Sequence, residues 1–392
     1  MAAMDTLLQK LFAESELVPE SAEPAYLASL PARHANLGTA RITAAAQDAA
    51  QSSIVDAAVR WAQKDVGKGG NRKLASMRAV DRLSVEFACA IANEIQGFVS
   101  VELDGRIAYQ KRATIDKARE LVLQLEELGI AKERVVVKIP ATLEGLEAAA
   151  LLRSKSEIRC MMTLVFGAHQ VAASADAGAH SIAPSVGRIS DWHKQNGNSA
   201  VGHDDPGVQA VWSMRDYLRT HGYSTAVIPC AFRGIEQVLA LAGIEFMSLP
   251  AAFIDELRGR FDDLPPRAPR AASITSTTER LTVDAAAYNR LHAADPLATS
   301  KLQDGVRNLS FAAVAQQQQL GEWIQKRQDE AAETSMLAFF RVWDFDGDGY
   351  IDREEWNGTD QVFNALDRDK DGRISVAELA LGLGAPATPK DA

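Results

Sequence analysis

Two stretches near the C-terminus space carboxylates at intervals that suit a hard cation. DFDGDGYIDREE, residues 344–355, sets Asp344, Asp346 and Asp348 at loop positions 1, 3 and 5, Gly349 at 6, the carbonyl of Tyr350 at 7, Asp352 at 9 and Glu355 at 12. DRDKDGRISVAE, residues 367–378, repeats the pattern with Asp367, Asp369, Asp371, Gly372, the carbonyl of Arg373, Ser375 and Glu378. Calcium takes about six to eight oxygens at about 2.3–2.6 Å, and such a loop wraps carboxylates, one main-chain carbonyl and a bidentate glutamate around one ion while glycine permits the turn. Two Ca2+ ions and no organic cofactor are expected. Ile351 and Ile374 stand where paired loops join through a short β bridge.

A second chemical signal is a lysine inside a strand. RVVVKIPAT, residues 134–142, alternates so that Val135, Val137 and Ile139 share one face and Val136, Lys138 and Pro140 the other. Burying an ammonium is costly unless it is paired or gives up its proton. A neutral amine in a low-dielectric lumen can add to a carbonyl and form a Schiff base. The same alternation places Ser100 with Glu102 in FVSVEL, and Thr163 with Met161 and Val165 in CMMTLVF. Glu102 and a water held by Thr163 suit the proton transfers of imine chemistry. Arg188 in PSVGR and Arg233 in CAFRG follow strands, where guanidinium groups can grip a substrate phosphate. Each residue alone also has a structural reading as a paired or packed group; their joint placement at strand ends favours chemistry.

These residues need a scaffold. From about residue 97, apolar runs (GFVSVEL, RVVVKIPA, IRCMMTLVF, AHSIAPSV, STAVIPCAF, GIEFMSLP) alternate with amphipathic helical segments. Six such strands in one series, with no glycine-rich phosphate fingerprint after the first, predict a closed (β/α)8 barrel of the TIM type. Between residues 10 and 45 no confident strand pair is legible, so either the early strands are weak or the barrel is incomplete or remodelled there. Residues 262–278 form a proline-rich connection, and the predicted division is a barrel with C-terminal helices over 1–330 and a small all-α calcium module over 331–392. The two loops start only 23 residues apart, so the helix between them must be shared. Phe339, Phe340 and Trp343 are candidate docking residues of that module.

Composition narrows the classes. The 392 residues are 47% hydrophobic and 24% charged with formal charge −10, ordinary for a globular protein and lacking the basic patch that nucleic acid would require. No apolar run is long enough for a membrane span and no leader is evident, so a cytoplasmic protein, monomer or homodimer, is expected. Cys89, Cys160 and Cys230 lie in apolar stretches and read as reduced core residues.

Both acidic loops resemble EF-hands. Residues 97 to about 325 resemble the transaldolase family through VSVELD, RVVVKIPATLEG, SVGRISDW, DPGV, HGYSTAV, AFRG and LAGIEFMSLP, in that order. The resemblance implies that Lys138 is the Schiff-base residue, that Glu102 and Thr163 handle protons and water, and that Arg188 and Arg233 bind phosphate. It implies transfer of a dihydroxyacetone unit between sugar phosphates in the pentose phosphate pathway. Departures accompany it. The family's first strand ends in an acid–base aspartate, for which Glu16 is a loose match, and Gly38 falls near the place of a substrate-binding asparagine. Met161, Ala183 and Ala231 replace polar family residues, and Pro140 a small one. The alternative is a catalytically weak or inactive homologue, a calcium-binding scaffold that meets a protein partner through its module.

Overall fold

The computed structural model describes residues 5–66, 72–265 and 279–382. Residues 266–278, most of the proline-rich connection, lie outside that set. The chain forms two compact units, one built from the chain up to Trp61 together with Ala79–Gln317, the other from Ala62–Arg78 and the chain from Gln318 onward. The 48-residue helix Pro296–Trp343 contributes residues to both.

The first unit is a parallel barrel. Its strands are β1 (Glu16–Glu20), β2 (Ala35–Leu37), β3 (Val99–Glu102), β4 (Val135–Pro140), β5 (Arg159–Val165), β6 (Ser181–Pro184), β7 (Ala226–Val227) and β8 (Phe246–Pro250). Strands β2 to β7 hydrogen-bond in chain order, and β1 pairs in parallel with β8. That pair closes the ring: β1 lies beside β2, and the Ser248 N–H donates to the Pro229 carbonyl just beyond β7 at 2.9 Å.

The first strands are therefore present, and of the two readings the sequence left open, weak early strands is the one that fits. They were hard to read for physical reasons. β2 is only three residues long, and β1 contains Pro19. A proline is tolerated in a strand that carries its ladder on one side alone, as β1 does toward β8.

Val135, Val137 and Ile139 are wholly buried against the outer helices, while Val136 turns inward. Inside, Val18, Phe98, Val136, Met161, Ala183 and Ile228 meet in one apolar layer flanked by Cys230 and Phe246. Full burial stabilises each large side chain by about 1.5–3 kcal/mol. This layer plugs the lower lumen and supports the polar layer above it.

The second unit contains the acidic loops. Its strands β9 (Tyr350–Asp352) and β10 (Arg373–Ser375) pair antiparallel with Ile351 opposite Ile374. Between the loops stands one short helix, Asp360–Leu366, whose cap Thr359 accepts the Val362 N–H. Met336, Phe340, Ile351, Phe363, Leu366, Ile374, Leu379 and Ala380 form the core, with Trp343 and Trp356 alongside. Phe340 is thus an interior residue of the module and unsuited to docking, whereas Phe339 is exposed. Among the described residues, no helix is long and apolar enough to cross a membrane.

Candidate functional site

Lys138 occupies the fourth position of β4 and is 6% exposed. Its Nζ donates to Asn36 Oδ1 at 2.8 Å and lies 3.7 Å from Glu102 Oε1. Pairing of β3 with β4 puts Glu102 beside Lys138, which is why the two carry opposite charges at the same height of the lumen. The other carboxylate oxygen, Glu102 Oε2, accepts from the Thr39 N–H at 3.3 Å and the Thr39 hydroxyl at 3.2 Å. Gly38 forms a wall of this pocket: a Cβ added there would lie 3.9 Å from both Lys138 Nζ and Glu102 Oε2.

A second carboxyl, missed by sequence reasoning, enters from β1. Glu20 ends that strand two residues beyond Val18 and on the same inward face. Ser248 Oγ donates to Glu20 Oε1 at 3.0 Å. Burial pushes the Glu20 carboxyl above its ordinary range; the Ser248 hydroxyl and the cations Lys138 and Arg41 oppose that shift, and the charge of Glu102 adds to it. Glu16 begins the strand, at the opposite end from the amine, and accepts the Arg33 N–H. Period-two alternation applied to ELVPE puts Glu16, Val18 and Glu20 on one face, and of the two carboxyls only Glu20 stands at the strand's C-terminal end. Asn36, also missed, is the inward residue of β2 between buried Ala35 and Leu37.

Thr163 stands two residues beyond Met161 on β5 and is half-buried. The strand then bulges at Leu164, whose φ of 56° is left-handed, and Gln170 Nε2 holds the Leu164 carbonyl at 3.1 Å. Such a conformation costs about 1–3 kcal/mol, the kind of strain that concentrates at functional sites. Met161 and Ala183 belong to the apolar layer. Cys230 lies near Glu20 and Lys138, and burial, then the Glu20 charge, push its thiol up to about 12.

The two arginines come together after β6 and β7. Arg188 sits in the first turn of the helix Val186–Gln195, donates Nη2–H to the Lys301 carbonyl at 3.0 Å, and holds its guanidinium carbon 5.4 Å from the centroid of the Phe166 ring. Burial lowers its pKa; Asp304 opposes the shift and the Arg233 cation adds to it. Arg233 donates from Nε and Nη2 to Asp191 Oδ2 at 3.0 and 2.8 Å. Gly187 makes the approach feasible, because a Cβ there would fall 2.5 Å from Arg233 Cγ. A buried amine, two carboxyls and paired guanidinium groups can together form an imine and hold an anionic substrate.

In the second unit, carboxylate oxygens of Asp344, Asp346 and Asp348 converge, as do those of Asp367, Asp369 and Asp371. Main-chain N–H groups orient them: Asp344 Oδ1 accepts from Gly347, Asp348 Oδ1 from Tyr350 and Asp371 Oδ1 from Arg373. The two oxygens of Glu355 accept from Phe345 and Asp352, and Asp352 Oδ1 caps Glu355 in return. Glu378 accepts from Arg368, Asp369 and both donors of Ser375. Burial pushes its carboxyl up, but those donors outweigh burial and hold it below the usual range. Among the described residues, Asp367 Oδ1 is buried without a hydrogen-bond partner. An unpaired buried oxygen aimed among converging carboxylates fits a cation.

Comparison with known proteins gives consistent results. The model of the transaldolase/fructose-6-phosphate aldolase family matches residues 42–320, and the EF hand model matches residues 338–358 and 359–382. A transaldolase of Thermosynechococcus vestitus is 38% identical over 381 residues, covering 96% of this chain and 97% of the relative. A transaldolase of Synechocystis sp. is 38% identical over 381 residues, covering 97% of each. A transaldolase of Methylococcus capsulatus is 36% identical over 308 residues, 78% of this chain and 93% of the relative.

Proposed function

The chain belongs to the transaldolase/fructose-6-phosphate aldolase family, and we propose that it transfers a dihydroxyacetone unit between sugar phosphates through an imine on Lys138. The observation that carries this reading is the buried Lys138 amine between Asn36 and Glu102, with Glu20 facing the same lumen. The neutral amine adds to the ketose carbonyl, and the carbinolamine loses water to leave the imine. Glu102 and a water on Thr163 exchange the protons of these steps. As the carbon–carbon bond breaks, the Glu20 carboxylate takes the proton of the hydroxyl that becomes the aldehyde, and the electron pair passes to the imine to give an enamine. When the enamine attacks the acceptor aldehyde, Glu20 returns that proton to the new alkoxide. A carboxyl whose pKa burial raises above the ordinary range suits both directions. Arg188 and Arg233 hold the phosphate, with Asp191 fixing the second guanidinium.

Functionally, residues 1–330 carry this chemistry and residues 331–392 the calcium. The two loops would hold one Ca2+ each, through the Asp, Glu and Ser side chains described and the carbonyls of Tyr350 and Arg373. An ion there supplies charge neutralisation, which orders the module for a stabilising or partner-docking role. One observation favours the alternative of a silent scaffold: Met161 and Ala183 leave the lumen floor beneath the amine apolar.

Incubation with fructose 6-phosphate and borohydride, followed by intact mass, separates the readings. Turnover chemistry gives a reduced three-carbon adduct on wild type and none on Lys138→Ala. Absence of any adduct on folded wild type overturns the catalytic reading and leaves the scaffold.

A further inference from the structure

Asn36 comes from a strand of only three residues, yet it lies at the centre of the polar layer. Its Oδ1 accepts from Lys138 Nζ at 2.8 Å and from Ser100 Oγ at 3.0 Å. Its Nδ2 donates to Ser248 Oγ at 2.8 Å, and that hydroxyl donates onward to Glu20 Oε1 at 3.0 Å. Two donors on the oxygen and one acceptor on the nitrogen fix the orientation of the amide. We infer that Asn36 is a positioning residue which holds the Lys138 amine by a neutral acceptor and, through Ser248, sets the carboxyl of Glu20 against it.

The chemistry explains why an amide serves. An amine that is to attack a carbonyl must keep its lone pair directed into the open lumen, so its hydrogens need fixed acceptors on the wall. Asn36 Oδ1 supplies one, with Glu102 Oε1 farther off at 3.7 Å. A carboxylate in the place of Asn36 would accept as well but would add a charge that favours the ammonium, which cannot attack. An apolar residue would remove the nearest acceptor of the amine and one of the two partners of each of the Ser100 and Ser248 hydroxyls. The same side chain therefore ties the nucleophile to the acid–base group across the lumen from it.

This inference rests on the proposed imine chemistry, and its test is chosen to be separable from it. Reductive methylation of Lys138 by formaldehyde and cyanoborohydride, read by peptide mass across a pH series, reports amine availability without any sugar. Asn36→Asp is expected to move the pH midpoint of Lys138 labelling upward by about one unit or more, the scale of a close opposite charge. Asn36→Leu keeps the branching at Cγ, removes the acceptor for the ammonium, and is expected to move the midpoint downward. Opposite shifts establish the role; midpoints within error of wild type, or shifts of the same sign, overturn it. Should Asn36→Asp fail to fold, the direction given by Asn36→Leu decides alone. A wild type that forms no sugar adduct while the two variants still shift oppositely refutes the catalytic reading and leaves the positioning of Lys138 standing. An adduct with unmoved midpoints does the reverse.

Discussion

Acid should loosen the barrel through one buried histidine. His169, 4% exposed on the helix Ala168–Asp176, sets Nε2 at 3.1 Å from Nδ1 of His292 on the helix Ala285–Ala293. Its ring meets Tyr288 edge-on, and Tyr288 donates its hydroxyl to the Ala141 carbonyl, three residues beyond Lys138. Burial and then the His292 ring lower the His169 pKa from 6.5 to about 4, with Asp295 acting in the opposite sense. The sign follows directly. A depressed histidine contributes nothing above its unfolded pKa, but below it the unfolded chain takes up a proton that the folded ring refuses, so stability falls as pH drops from 6.5 toward 4. At pH 5 those values give a loss of about 2 kcal/mol, and about 1–2 kcal/mol after screening by solvent. His34, lowered to about 4 by burial and Arg33, adds a parallel loss, so the variant His169→Gln is needed to isolate the effect. Urea unfolding at constant calcium should show wild type losing about 1–2 kcal/mol more than His169→Gln between about pH 7.5 and pH 5. Equal losses in the two proteins would refute the reasoning.

Two further outcomes are expected. Glu20→Gln should abolish transfer activity while raising stability at neutral pH, because a carboxyl with a raised folded pKa destabilises the fold once the unfolded chain ionises; the difference should vanish below the ordinary glutamate range, and urea midpoints across pH check it. Calorimetric titration should find two Ca2+ per chain, reduced to one by Asp344→Ala or by Glu378→Gln, with chelation lowering the melting temperature of wild type and retention of both ions by either variant counting against the assigned ligands.

Much of this was legible because some chemistry is written at fixed spacing. The acidic loops are contiguous, so the converging carboxylates, the turn glycines and the paired isoleucines could all be read in line. The β4 run was legible for another reason: six buried residues with one charge among them leave few alternatives. Glu20 and Asn36 escaped because their strands are brief, one carries a proline, and the meaning of each side chain comes from partners 64 to 228 residues away. A local pattern cannot report such distances. Arg188 and Arg233 could be placed after strands, but the aspartate that orients Arg233 and the carbonyl that anchors Arg188 could not.

The closure of the ring by β1 and β8 also orders events in time. During synthesis Lys138 and Glu102 emerge on adjacent strands long before Ser248, the residue that joins Asn36 to Glu20. Until the ribosome has released the eighth strand, the first has no parallel neighbour to pair with. Glu20 therefore meets Ser248 only once the eighth strand has been made, and a chain halted before Phe246 would hold Lys138, Asn36 and Glu102 without that link.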